Sequence, residues 1–267
     1  MPPVDLPSLL DDLRAEHAEL HGIVAAIDDS AWDRPTPAEG WLVRDQIGHL
    51  AYFDEVATTA MTDPDAFAPL AEEALAMARR GEDPMAEHLR RGRAMAGAAV
   101  LDWWRDARRT MVDGAARLAP GERVPWFGPS MSPLSFVSAR LMETWAHGQD
   151  VADALGVSRR PTARLLHVAH IGVRARPFSY AVRGAEVPEV DVRVELTAPS
   201  GEPWVWNDDG AGGVVRGPAV DFCLVVTQRR HVDDTALEIE GDAAREWMAI
   251  AQAFAGPPGP GRPPLPR

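Results

Sequence analysis

The 267-residue chain has no lysine; all 27 of its basic residues are arginine. A lysine Schiff base and a P-loop lysine are therefore excluded. Cysteine is almost absent too. Cys223 stands alone, so neither an internal disulfide nor a Cys-x-x-Cys zinc site can form, and any metal must be held by histidines and carboxylates. Cys223 lies in the apolar run FCLVV and reads as a small buried hydrophobe rather than a nucleophile. No Gly-x-Ser-x-Gly elbow occurs, and no Gly-x-Gly-x-x-Gly follows a strand pattern. There is no run of about 18 apolar residues, so no membrane span is expected. The opening MPPVDLPSLLDDLRAEH lacks a basic stretch followed by an apolar one, so no secretory signal is expected. With one cysteine, this sets a cytoplasmic location as the expectation. The formal net charge of −13 repels phosphate backbones. The expected partner is a small molecule, not nucleic acid or membrane, and the expected state is a monomer or homodimer.

What is present divides the chain. Leu6 to Ile27 carries apolar residues at helical spacing, and Asp28 to Gly40 reads as a loop. Leu42 to Met61 predicts a second helix whose seam holds Leu42, Gln46, His49, Phe53, Val56 and Ala60. Asp63 to Arg93 is polar and interrupted by Pro64, Gly81 and Pro84, which predicts a partly helical insertion or lid. Ala94 to Leu118 predicts a third long helix. A fourth starts at Ser132, with Pro133 at its first position, and ends at Gly156. Four such helices suggest a four-helix bundle over residues 1–158. Residues 159–256 mix helix patterns with three strand patterns, at 190–197, 204–207 and 236–240, and a short candidate at 214–216. That mixture predicts a small α+β domain. The tail GPPGPGRPPLPR starts at Gly256; it is too rich in proline and glycine to build a core, and 257–267 is expected to be disordered.

Glu143 and His147 are four residues apart, which on a helix puts both on one face. Two such side chains can share a metal ion. His49 lies on the inner seam of its helix, where a buried imidazole needs a partner. Seam residues of a bundle converge on sites where metals are commonly built. The residues alone leave two other readings open: a satisfied core histidine at His49, and a flank ion pair between Glu143 and His147. His17 and His21 share a face but read as a solvated surface. His167 and His170 read as packing residues, His88 as exposed in the polar insertion, and His231 as part of a loop. Asp45 and Asp150, each about one turn from a candidate ligand, could orient an imidazole. Asp45 reads more simply as an N-terminal helix charge.

The segment WLVRDQIGHL resembles the Trp-x-Val-Arg-Asp-x-x-x-His-Leu signature of the DinB-like, mycothiol-dependent maleylpyruvate isomerase superfamily. LMETWAHGQDVADALG resembles that group's second metal motif. The C-terminal segments GPAVDFCLVVTQRRHVDDT and EIEGDAAREWMAIAQAFAGPPG look like a branch described as metal-binding, sometimes under a wyosine base formation label. That label would imply RNA, against which the acidic charge argues. The resemblance implies a DinB-like bundle followed by a small α/β domain, with His49, Glu143 and His147 binding a divalent metal, usually zinc. It implies mycothiol as the thiol activated there, for isomerisation of, or transfer to, an electrophilic small molecule. It further implies a reaction-critical arginine in the smaller domain, matched here by Arg229 or the adjacent Arg230. The insertion departs from the family pattern. Hydrolase or lyase chemistry through metal-bound water stays open as an alternative, as does a non-catalytic small-ligand-binding protein.

Overall fold

The computed structural model describes residues 4–82 and 86–266. The chain divides between Arg159 and Arg160 into two compact units. The fold class is α+β, with a helical first unit and a small mixed sheet in the second. Among the described residues no helix is long and apolar enough to cross a membrane.

The first unit contains α1 (Leu6–Val24), α2 (Val43–Thr62), α3 (Pro64–Arg79), α4 (Ala86–Arg93), α5 (Gly97–Ala115) and α6 (Pro133–Leu155). Helix ends follow local chemistry. Asp5 accepts from the Ser8 amide at 2.8 Å, and Ser132 Oγ accepts from the Ser135 amide at 3.2 Å. Gly156 stops α6 in the left-handed region, φ +68°. Leu42 precedes α2 without a capping side chain. Asp45 reaches back instead to accept from the Leu42 amide at 2.9 Å, which is the N-terminal charge role expected of it. Helix α2 is the centre of the unit, packing against α3, α4, α5 and α6, while α1 lies along α6. Leu20, Val24, Ile47, Leu50, Val100, Trp104 and Val151 form the shared core.

Charge is buried inside this core. Arg140 Nη2 donates to Asp54 Oδ1 at 2.9 Å, joining α6 to α2, and both side chains are nearly inaccessible. Burial raises the Asp54 carboxyl pKa, with Arg140 opposing. The 17/21 pair is no solvated face. His17 is buried edge-on against Trp104, at 5.8 Å between ring centroids. Glu16, beside it, is buried and pairs with Arg159.

The second unit holds α7 (Leu165–Arg174), α8 (Arg176–Ala181), β1 (Arg193–Thr197), β2 (Pro203–Trp206), β3 (Val214–Pro218), α9 (Ala219–Val226), β4 (Glu238–Glu240) and α10 (Asp242–Ile250). The sheet order is β2-β1-β3-β4. Strand β1 pairs antiparallel with β2 and parallel with β3, and β4 returns antiparallel to β3. Helix α9 packs on α7 at Gly172, where a Cβ would stand 2.7 Å from Val226. Cys223 is buried, and burial pushes its thiol pKa well up.

Several elements are shorter than the sequence patterns predict. Helix α9 ends at Val226 because Thr227 Oγ1 bonds back to the Cys223 carbonyl at 2.7 Å and Gln228 turns left-handed at φ +58°. Helix α10 ends at Ile250, where the Gln252 amide is drawn to Ser179 Oγ at 3.0 Å. Strand β1 begins at Arg193, since Asp191 and Val192 give their carbonyls to Gly212 N and Asn207 Nδ2. Residues 257–266 form no helix or strand. Within them, the Gly259 carbonyl accepts from Arg183 at 3.0 Å and the Leu265 amide donates to Asp234 at 2.9 Å.

Asp54→Ala strands the Arg140 guanidinium in the core and is expected to cost about 3 kcal/mol, read as a lowered denaturant midpoint; an unchanged midpoint would show that the pair carries no such weight. Burial holds the His17 imidazole well below its ordinary pKa, with Arg108 adding to the effect. Folded His17 thus stays neutral while the unfolded chain takes up a proton below about pH 6.5. Stability is therefore complete above that pH and falls as the pH drops towards the folded pKa. His17→Leu should flatten this slope by up to about 1.4 kcal/mol per pH unit, measured by denaturation at stepped pH. An identical slope in the variant would rule out the linkage.

Candidate metal centre

Helix α2 supplies His49, and α6 supplies Glu143 and His147 one turn apart. The structure brings all three together: each offers a ligand atom, and these atoms lie within 4.8 Å of one another. The two imidazole rings are 4.5 Å apart between centroids. His147 is buried, whereas His49 and Glu143 are partly exposed, so the group sits at the rim of the bundle.

The hydrogen-bond chain behind His147 fixes its tautomer. Gln46 Nε2 donates to Thr36 Oγ1 at 2.9 Å, and Thr36 Oγ1 donates to the Trp41 carbonyl at 3.0 Å. With its amide nitrogen committed, Gln46 presents Oε1 to His147 Nδ1 at 2.5 Å. An oxygen can only accept, so Nδ1 carries the proton. A neutral ring then has its lone pair on Nε2, which is 3.2 Å from Glu143 Oε2. Two electron-rich atoms at that distance repel unless a cation or a proton lies between them. Donors about 2.1 Å from one tetrahedral cation are themselves about 3.4 Å apart, close to the observed spacing. Two imidazoles and a carboxylate are also a donor set suited to a divalent metal. The residues present therefore fit such an ion.

Aromatic rings surround the donors. Trp41 stacks on His147 at 5.9 Å and 20°, and Phe53 lies 4.6 Å from His49. Phe127 stands 6.1 Å from Phe53, and Trp126 stacks on Phe67 at 5.8 Å. The Trp126–Phe127 loop thus meets the α2 residue next to the donors and also packs into the unit.

His88 overturns its reading as an exposed residue. It is 2% exposed, and its Nε2 is 3.2 Å from His49 Nδ1. The segment around it is mostly charged, with Glu87, Arg90, Arg91 and Arg93, which is why composition points outward; the fold turns this one side chain inward. Sequence reasoning also missed the roles of Gln46, Thr36 and Trp41. Gln46 carried a usable signal, a polar residue on an apolar seam one turn before His49. Of the two carboxylates considered for orienting an imidazole, Asp45 caps α2 and pairs with Arg93, and His147 Nδ1 faces Gln46 rather than Asp150.

In the second unit, Arg229 follows α9, donates from Nη1 to the Thr227 carbonyl at 2.6 Å, and lies over Phe254. Arg230 Nη1 donates to the Arg229 carbonyl at 2.7 Å. His167 is buried, and His170 Nδ1 accepts from Trp206 Nε1 at 3.2 Å. His231 caps a short turn by accepting from the Asp233 amide at 3.1 Å.

Residues 13–152 match the family described as the mycothiol maleylpyruvate isomerase N-terminal domain. Two proteins from two strains of Mycobacterium tuberculosis, both described as uncharacterized, are each 45% identical over 251 residues, 94% of this chain and 96% of theirs. The crystal structure of the mycothiol-dependent maleylpyruvate isomerase superposes with a TM-score of 0.58 at 16% identity, covering 85% of this chain and 90% of that one. A histidine-to-alanine mutant of that enzyme gives the same TM-score over 90% of this chain and 94% of its own. At such identity the likeness is one of fold.

Gln46→Leu keeps the side-chain volume roughly but removes the acceptor that holds the His147 proton on Nδ1. Its Zn2+ affinity, measured by chelator competition, is expected to fall about 10- to 100-fold. Equal affinity in wild type and variant would show that the Thr36–Gln46 relay does not govern the donor.

Proposed function

The chain belongs to the mycothiol maleylpyruvate isomerase N-terminal domain family, and on that premise we propose that it is a metal-dependent enzyme activating a low-molecular-weight thiol, mycothiol, for reaction with an electrophilic small molecule. The observation that carries the proposal is the convergence of His49, Glu143 and His147 from two helices, with donor atoms within 4.8 Å. His49, Glu143 and His147 would hold the ion, and three protein donors rather than four are the usual set of a catalytic rather than a structural site. Zinc is the ion proposed, since two imidazoles and one carboxylate are among its catalytic donor sets. A divalent cation held there would supply Lewis acidity, which favours the ionised form of a thiol.

The chain's own residues do the positioning. Glu143 and His147 are held at a fixed spacing by one turn of α6, and Gln46 keeps the His147 lone pair on Nε2. Trp41 and Phe53 flank the imidazoles and present apolar surface beside them. No protein nucleophile is required, consistent with the burial of Cys223. Arg229, or Arg230 beside it, is the proposed anchor for a substrate carboxylate, because a guanidinium matches that group bidentately. The product is an isomer when the thiol leaves again and a thioether when it stays. A cytoplasmic location belongs to the same proposal, since a free thiol co-substrate needs a reducing compartment.

Metal analysis combined with a mycothiol titration of wild type and His147→Ala tests this reading. The wild type is expected to hold about one divalent ion per chain and to bind the thiol. The variant should lose both, by a factor of at least about 100. Turnover of maleylpyruvate should require the thiol. Arg229→Ala should retain the metal while losing turnover about 100-fold or more. Turnover without thiol would replace the proposal with hydrolytic or lyase chemistry, and thiol binding that persists in His147→Ala would end it.

A further inference from the structure

Helix α4, inside the 63–93 insertion, runs antiparallel along α2. Arg93 at its end pairs with Asp45, with Nη2 to Oδ2 at 2.7 Å. Gly92 faces Gly48, where an added Cβ would stand 3.7 Å from the Gly92 Cα, so the two backbones meet directly. Arg91 pairs with Glu55 at 2.9 Å and lies 3.8 Å above the Trp103 ring. His88 then stacks on Tyr52 at 4.9 Å and 12°, with Nε2 3.2 Å from His49 Nδ1. Apart from Gly92, His88 is the buried residue of α4.

A helix that only needed packing at this point would present leucine, because burying an imidazole costs desolvation. Two ring nitrogens at 3.2 Å share one proton, and its position decides what His49 can do. With the proton on His49 Nδ1, His88 Nε2 accepts, and His49 Nε2 carries a lone pair able to ligate. With the proton on His88 Nε2, His49 Nδ1 accepts, and His49 Nε2 carries hydrogen and cannot ligate. Because His49 Nδ1 faces His88, Nε2 is the ring nitrogen left to ligate, and a cation on it requires the first arrangement, in which His88 is the acceptor.

We propose that His88 is a positioning residue for the metal centre: docked α4 presents its Nε2 to hold the His49 proton on Nδ1, so metal occupancy and the seating of α4 on α2 stabilise each other. The inference rests on the metal reading given above. The coupling is reciprocal, because whatever favours the ligating tautomer of His49 also favours the His49–His88 bond. The insertion is then part of the metal site's support.

The test measures Zn2+ affinity by competition with a chromophoric chelator, and amide hydrogen exchange in residues 86–93 with and without Zn2+. His88→Leu, which fills the space but offers no acceptor, is expected to bind Zn2+ about 10- to 100-fold more weakly. His88→Gln, which restores an acceptor, should recover most of that loss; a purely structural role would not distinguish the two. Arg93→Ala loosens α4 without touching His88 and should also weaken Zn2+ binding. In wild type, Zn2+ should slow exchange in 86–93. Tight Zn2+ binding by the wild type and by His88→Leu alike would overturn this inference and leave the metal reading standing. Failure of the wild type to bind Zn2+ would overturn both.

Discussion

The centre depends on one electrostatic constraint. A lone pair of His147 and the carboxylate of Glu143 are held 3.2 Å apart by a single turn of α6. Gln46 denies His147 the simplest escape, a proton moved to Nε2. What remains is a contact that becomes favourable when a second proton on the ring or a shared cation lies between the two atoms. The third donor comes from α2, the helix that also carries Gln46 and packs against most of the unit. Register between α2 and α6 is therefore a requirement of the chemistry as well as of the core. The Asp54–Arg140 pair, which joins the same two helices, keeps that register.

The absence of lysine has a structural counterpart. Asp45, Asp54 and Glu16 are each about 1% exposed, and each is met by an arginine: Arg93, Arg140 and Arg159. A buried ammonium sheds its proton readily, whereas a guanidinium keeps its charge and offers several donors in one plane. Arg140 uses both Nε and Nη2 on one Asp54 oxygen. Such pairs add little net stability over apolar packing, but they penalise any register that separates them. That property suits a bundle whose function needs donors from two helices to meet.

Much of this was legible from local chemistry. Ser132, Pro133 and Gly156 marked both ends of α6, and the α2 seam marked which face turns inward. The three candidate ligands could be named because the four-residue step and the seam position are local facts, and the two motifs supplied the pairing between helices. Features decided by distant contacts were not legible. Gln252 leaves its helix for Ser179, 73 residues away, and no window around α10 contains that information. His17 looked solvated because its helix is charged, yet Trp104 from α5 covers it.

His88 shows the same limit from the other side. The local pattern of the insertion, EHLRRGR, is that of a surface helix, and most of α4 is one. Gly92 and His88, its buried residues, share the face turned to α2, where a glycine lets the backbones close and the imidazole reaches the donor beyond. Sequence composition averages over the faces of a helix, so one inward histidine among arginines disappears in the mean. The insertion also departs from the family pattern. Its position against α2 gives the departure a different meaning. The insertion meets one of the matched motifs through a hydrogen bond to His49, so what supports the ligands includes a segment outside those motifs.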